Sequence, residues 1–335
     1  MPVRPQARSP LHHPASILSQ VEDDLKRVEG EIEKNLHSSV PLVAHISRYI
    51  IRSGGKRLRP LLMVLAARLT GYQGDDHYPL SIVFEYLHAA TLLHDDVVDS
   101  AELRRNKPAA NTIWGNPAAV LVGDFLLATS FALAVSSGNL KTLRVLSDTT
   151  TAMAEGEILQ LINSNNLEIS EEDYIEVITR KTAILIAAAC QIGAIFGRAD
   201  AEREEAMRRF GLNLGIAFQL RDDVLDYVGS EEEVGKPIGQ DLSEGKITLP
   251  LIHTLGASNP EDRQRLVDLI TADEITREGF VEVKSFLDRY QGLDCTSRLA
   301  ERHIAMAKEA LAGFPPSATG ETLAAIADYV VTRRV

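Results

Sequence analysis

Two acidic stretches constrain this chain more than anything else in it. Leu92-Leu93-His94-Asp95-Asp96-Val97-Val98-Asp99 crowds three carboxylates into five residues, after an apolar-rich stretch that begins near Leu80. On a helix, Asp95 and Asp99 stand one turn apart and Asp96 lies beside both, so the three charges repel unless a cation sits among them. The pattern recurs once, as Gln219-Leu220-Arg221-Asp222-Asp223-Val224-Leu225-Asp226. A single cluster reads as a solvated acidic face. Two clusters, each on an otherwise apolar helix, read as the walls of an interior cavity. His88, Thr91, Asp95 and Asp99 share the first face, and Gln219, Asp222, Asp223 and Asp226 the second.

The rest of the chain reads as helix. Amphipathic or apolar periodicity predicts helices over 15–37, 40–52, 58–70, 79–99, 116–136, 140–163, 170–196 and 200–228, then four shorter ones from about 247 to the end. Pro60 falls in a first turn, where its missing N–H is harmless, and Ser170-Glu171-Glu172-Asp173 looks like a capping box. The polar, glycine-bearing stretch 230–246 reads as a loop, and no alternating strand pattern is visible. The length of 335 residues permits two or three domains, but no linker divides the chain. The expectation is therefore one all-α domain over 15–335, a single large helical bundle with a central hydrophobic cavity, preceded by a disordered N-terminal arm at 1–14.

Charge and composition exclude several classes. A net charge of −12 argues against nucleic acid as a partner. Cys190 and Cys295 have no metal-ligand spacing and read as buried thiols in a reducing, cytoplasmic setting. Residues 1–14 lack the apolar core of a signal peptide. The most apolar stretch, 116–136, carries Asp124 and lacks basic flanks, so it reads as a helix deep in the bundle rather than a transmembrane segment. Within it, Val120 to Leu133 is too apolar for a solvated surface helix and hints at a homodimer.

Carboxylates without cysteine suit hard, oxygen-seeking cations, Mg²⁺ foremost, which shares its coordination with substrate phosphate. The basic residues supply the complement. Gly54-Gly55-Lys56-Arg57-Leu58-Arg59-Pro60 places three cations at a glycine turn entering a helix, a combination suited to a diphosphate. Arg104-Arg105-Asn106-Lys107-Pro108 follows the first cluster closely. Lys181-Thr182 lies in an apolar helix, where a lysine needs a partner. Lys236 and Lys246 bracket the glycine-bearing loop. An apolar interior ringed by metal-binding carboxylates and phosphate-binding cations describes a site for a diphosphate attached to a hydrocarbon. No Ser/His/Asp or Cys/His constellation competes.

These motifs resemble those of the trans-isoprenyl diphosphate synthase family: GGKRLRP at 54–60, DDVVD at 95–99, RRNKP at 104–108, Lys181-Thr182, FQLRDDVLD at 218–226 and GKPIGQDLSEGK at 235–246. The likeness is strongest to the bacterial long-chain branch. It implies the isoprenoid synthase fold and a Mg²⁺-dependent condensation of isopentenyl diphosphate with an allylic diphosphate such as farnesyl diphosphate, by a homodimer with three Mg²⁺ per active site. By the same resemblance Asp95, Asp99 and Asp222 bind metal, with Asp96, Asp223 and Asp226 as further ligands or supports. Lys56, Arg59, His88 and Arg105 hold isopentenyl diphosphate. Arg104, Lys181, Lys236 and Lys246 hold the allylic diphosphate, and Thr182 and Gln219 sit near the reacting carbons. Arg57 has no evident place. Ala90 and Thr91, small residues one turn before Asp95, leave the route for the growing tail open and point to a long product of about C40 for quinone side chains. Four other readings remain: a short- or medium-chain prenyl diphosphate synthase, a regulatory subunit of a two-component prenyltransferase, an HD-type phosphohydrolase, and a terpene cyclase.

Overall fold

The computed structural model describes residues 14–105, 107–228, 239–272 and 275–333. Lys236 and residues 1–13 of the expected arm lie outside the described residues. The chain opens with α1 (Pro14–Asn35), α2 (Pro41–Arg52), α3 (Leu58–Leu69), α4 (His77–Ser81) and α5 (Val83–Val98). A two-residue hairpin follows, β1 (Leu103–Arg104) pairing antiparallel with β2 (Lys107–Pro108). Next come α6 (Ala110–Trp114), α7 (Asn116–Ser136), α8 (Leu140–Ile162), α9 (Glu171–Ile178), a π-helical turn (Thr179–Ala183), α10 (Ile184–Phe196) and α11 (Ala201–Val228). The last helices are α12 (Gln240–Ser243), α13 (Leu249–Ala257), α14 (Pro260–Ile270), α15 (Arg277–Arg289), α16 (Gly292–Ala310) and α17 (Ala318–Thr332).

The apolar helix α10 is central. It packs against α3, α8 and α11, and α11 packs in turn along α16. Leu185, Ile186, Ile192 and Cys190 of α10 are buried, as the continuous apolar run Ile184-Leu185-Ile186-Ala187-Ala188-Ala189 requires. A second apolar cluster joins α1, α2, α5 and α7 through Val28, Ile32, Ile46, Tyr86 and Leu126. The two aspartate helices therefore belong to different packed layers, and the cleft runs between them.

Several expected spans change. The helix expected over 79–99 breaks at Ile82, whose carbonyl accepts from both Glu85 and Tyr86 N–H, so α5 starts afresh there. Among the described residues five α-helices, not four, follow residue 247. Part of the expected 230–246 loop forms α12, and Arg104, Lys107 and Pro108 of the RRNKP motif lie in the small hairpin. The helix opened by Ser170, whose hydroxyl accepts from Asp173 N–H as expected, is interrupted by the π turn that carries Lys181 and Thr182. Wide turns of this kind occur mostly where function demands them.

Two glycines make that turn possible. A Cβ on Gly156 of α8 would stand 2.7 Å from Lys181 N, and one on Gly215 of α11 would stand 2.5 Å from Ala183 Cα. The backbones of α8 and α11 thus close directly on the π turn, at Lys181 and Ala183.

The helix α7 is not deep in the bundle. Val122 and Leu126 are buried against α5, but Leu121 is 66% and Val135 60% exposed. Both α7 and the run Glu171–Phe196 are long and apolar enough to cross a membrane by composition; 33% of the first and 61% of the second are buried in the protein. All-round hydrophobicity tells that a helix wants cover on every side, not which neighbour supplies it.

Gly156→Ala is expected to destabilise the protein by about 1–3 kcal/mol through forced backbone displacement. Gly256→Ala, at an exposed α13 position where a Cβ meets nothing within 4 Å, is expected to stabilise by about 0.5–1 kcal/mol. Urea unfolding of both variants checks the contrast.

Candidate active site

Both aspartate clusters fall in the closing turns of their helices, where the helix dipole adds negative potential to carboxylates that already repel. The α5 cluster and the α11 cluster face one cleft of about 1010 Å³. Asp95 and Asp99 line one wall and Asp222 the other, with Arg59, His88, Thr91, Lys181, Thr182 and Gln219 between them. Lys56, Arg104 and Arg105 ring the mouth, while Leu92, Met153, Leu185 and Ile186 make an apolar lining. Helices from both layers, the 54–59 turn and the hairpin thus converge on one space.

Each cluster is balanced by cations of the chain itself. Arg104 donates to Asp96, through Nε at 2.8 Å. Lys246 Nζ donates to Asp99 at 2.9 Å and to Glu244 at 2.6 Å. Arg333 donates to Asp222 at 2.6 Å and stacks over Phe218. Burial raises the Asp95 carboxyl above the ordinary range, against the opposing pull of Lys181, while Asp99 raises it further. Lys181 itself donates to Glu157 at 2.7 Å. Burial disfavours the Lys246 ammonium, but Glu244 and Asp99 more than offset this and hold it charged. Burial, then Arg59 and Arg105, push His88 well below its usual value, so a neutral imidazole faces the cleft.

Not every expected residue faces this space. Asp96 is fully buried behind Asp95, clamped by Arg104. Asp223 and Asp226 are also buried and do not line the main cleft. Asp223 instead borders a smaller cavity of about 130 Å³ with Tyr174, Asp241 and Lys246. It accepts from the Tyr174 hydroxyl and, at 3.1 Å, from the Gln219 amide. Thr182 Oγ1 in turn donates to Gln219 Oε1 at 3.2 Å, so Lys181, Thr182 and Gln219 form the partition between the two cavities. Asp226 Oδ2 accepts from the Asp241 N–H at 3.1 Å, tying α12 to α11. Ala90 packs with Ile32 and Ile46 in the core cluster behind α5, whereas Thr91 lines the cleft. Among the described residues, no three His, Cys, Asp or Glu side chains converge as a ready-made metal cage.

Glu85, Glu157, Glu244 and Arg333 all line the cleft and were not expected there. Glu244 was within reach of sequence reasoning, since it lies inside GKPIGQDLSEGK. Arg333 is 111 residues from Asp222, and no local pattern announces that meeting.

Comparison with known proteins decides the family. The polyprenyl synthetase family model matches residues 40–285. The octaprenyl diphosphate synthase of Escherichia coli is 41% identical over 310 residues, 92% of this chain and 96% of that protein. The chain belongs to the polyprenyl synthetase family. It is a prenyltransferase with the isoprenoid synthase fold. An all-trans-nonaprenyl-diphosphate synthase of Rhodobacter capsulatus, described as geranyl-diphosphate specific, is 37% identical over 92% of this chain and 94% of that one. A polyprenyl synthase from Caulobacter crescentus, solved with calcium and isoprenyl diphosphate, superposes with a TM-score of 0.89 at 42% identity, covering 95% of this chain and 97% of that chain.

Burial, with Asp241 next, raises the Asp223 carboxyl well above its ordinary value despite the Tyr174 and Gln219 hydrogen bonds. The folded state therefore binds this proton more tightly than the unfolded state, and the group's contribution to stability falls as pH rises through the window above the ordinary carboxyl value. Asp223→Asn is expected to stabilise the protein in metal-free buffer by about 1–2 kcal/mol at pH 8, and by less at pH 5. Urea unfolding at the two pH values checks it.

Proposed function

We propose that this prenyltransferase catalyses the Mg²⁺-dependent head-to-tail condensation of isopentenyl diphosphate with an allylic diphosphate primer, giving an all-trans polyprenyl diphosphate of about C40. One observation carries the reading. Two aspartate helices, a glycine-bounded basic turn and an apolar lining share a single cleft of about 1010 Å³. The donor set fits magnesium: Asp95, Asp99 and Asp222 offer only oxygen, from opposite walls of the cleft. When bound there, magnesium neutralises charge on the departing diphosphate.

The chain's own groups do the rest. Arg104, Lys181 and Lys246 hold the allylic diphosphate, and Lys181 faces the oxygens that become negative as the C1–O bond breaks. Lys56, Arg59 and Arg105 hold isopentenyl diphosphate so that its double bond meets C1. Thr182 and Gln219, tied to each other, border the reacting carbons, and the neutral His88 adds polarity without a nucleophilic anion. Leu92, Met153, Leu185 and Ile186 exclude water from the allylic cation. The new C–C bond takes the electron pair of the double bond. The proton then lost passes to the released diphosphate, because the nearest carboxylates are engaged by cations.

Product length is assigned to the route past Thr91, which lines the cleft, rather than to Ala90, which does not. The Escherichia coli and Rhodobacter capsulatus relatives, with their octaprenyl and nonaprenyl products, support the long end, and a quinone side chain is the assigned destination. The exposed apolar face of α7, with Leu121 and Val135, is assigned to a second copy of the chain in a homodimer, working in the cytoplasm.

Purified protein given farnesyl diphosphate, labelled isopentenyl diphosphate and Mg²⁺ is expected to yield a labelled product near C40, and chelation to stop it. Asp95→Ala is expected to lower turnover at least about 100-fold. Thr91→Phe is expected to leave turnover and shorten the product. Chromatography of the extracted lipid reads all three; no label in any prenyl product contradicts the reading.

A further inference from the structure

Of the three cations in the 54–60 turn, Arg57 takes no part in the reaction described above. It sits just before α3 in the left-handed conformation, at φ 49°. A residue with a Cβ held there costs about 1 kcal/mol and persists only when its surroundings over-determine it. The surroundings here are specific. Arg57 Nε donates to Glu29 at 2.6 Å, one terminal nitrogen to Glu85 at 2.7 Å and the other to the Ile51 carbonyl at 2.9 Å. Those acceptors belong to α1, α5 and α2. One side chain thus pins the turn to three helices, and each nitrogen of its guanidinium is engaged by the protein.

Its partner is the odder residue. Glu85 is buried, 7% exposed, at the edge of a region built to receive an anion, where a carboxylate is in itself unfavourable. Burial lowers Arg59 and Arg105, and in both cases Glu85 is the leading group that opposes the shift. Arg59 Nε is buried with no hydrogen-bond partner. The Arg105 guanidinium lies against the Gly54-Gly55 backbone, 3.5 Å from where a Cβ on Gly55 would stand. Without Glu85, the Arg57, Arg59 and Arg105 guanidiniums would face one another with Glu29 beside Arg57 and Asp222 near Arg59 left to offset them.

We infer that Arg57 and Glu85 are a positioning pair. Their buried contact holds the 54–59 turn so that Lys56 and Arg59, with Arg105, present their donors to the isopentenyl diphosphate, and Arg57 itself donates nothing to that diphosphate. This rests on the reaction assigned above and names how one of its two subsites is built.

The test compares Glu85→Gln, Arg57→Met, the double variant, and the milder Glu29→Gln and Arg57→Lys. Simple electrostatics says that removing a negative charge beside an anion site lowers KM. A positioning role says the reverse: Glu85→Gln raises KM for isopentenyl diphosphate at least about tenfold, with kcat and the allylic KM changed less than about threefold. The double variant is expected to be no worse than the worse single variant within about twofold, as for two residues acting as one unit. Affinity for inorganic diphosphate in metal-free buffer, measured by calorimetry, is expected to fall in the same order without any need for turnover. If Glu85→Gln leaves KM unchanged or lowers it, or if the two single losses multiply in the double variant, Arg57 is a direct ligand and the inference is wrong. If the unaltered protein elongates nothing, the assigned reaction fails, and the diphosphate titration still decides the pair. Should Glu85→Gln not fold, Glu29→Gln and Arg57→Lys decide it by the same rise in KM.

Discussion

Carboxylates placed at the negative ends of two buried helices, facing each other across a cleft, are the constraint on which the rest of this structure depends. Dipole and burial both act against them. The chain answers with its own cations: Arg104, 8 residues on, at Asp96, and from far along its length Lys246 at Asp99 and Arg333 at Asp222. The layered bundle serves this arrangement. Gly156 and Gly215 let the α8 and α11 backbones close on the π turn that carries Lys181, and the α12 segment reaches the second aspartate helix through the Asp226–Asp241 bond.

Two of those cations, Arg104 and Lys246, are also assigned, together with Lys181, to the allylic diphosphate. On the proposed reading, substrate binding is an exchange of partners rather than the filling of a prepared cage. Metal held by Asp99 would free Lys246 for the diphosphate, whereas Asp96 stays buried with Arg104. Buried ion pairs of this kind contribute little net stability, because desolvation offsets most of the attraction. On the same reading, Lys246 and Asp99 are retained because each would have a second partner during turnover. The apolar lining below adds the condition that water stays out while the exchange takes place.

How much of this was legible in the sequence depends on whether the determinant is local. The spans of α2, α3, α7 and α8, and the Ser170 cap, follow from periodicity and capping chemistry and agree with the structure within a residue or two. The joint cleft of Asp95, Asp99, Asp222 and the 54–59 turn was expected from charge alone. The break at Ile82, the π turn and the exposed flank of α7 were not. Each is decided by what packs against the helix, which hydrophobic pattern does not record. Glu157 and Arg333 escaped for the same reason: their meaning lies in Lys181 and Asp222, reached only through the fold. Asp96, Asp223 and Asp226 share the aspartate pattern but turn away from the main cleft, because the residues of one helix cannot all face one cavity.

Magnesium binding measured with and without an inert allylic thiodiphosphate tests partner exchange most directly. Calorimetry on the full chain is expected to show weak Mg²⁺ binding alone and binding at least about tenfold tighter with the analogue, with the analogue's affinity raised by the same factor, as linkage requires. Equal Mg²⁺ affinity in the two titrations would mean that the aspartates form a metal cage on their own, and would contradict the account.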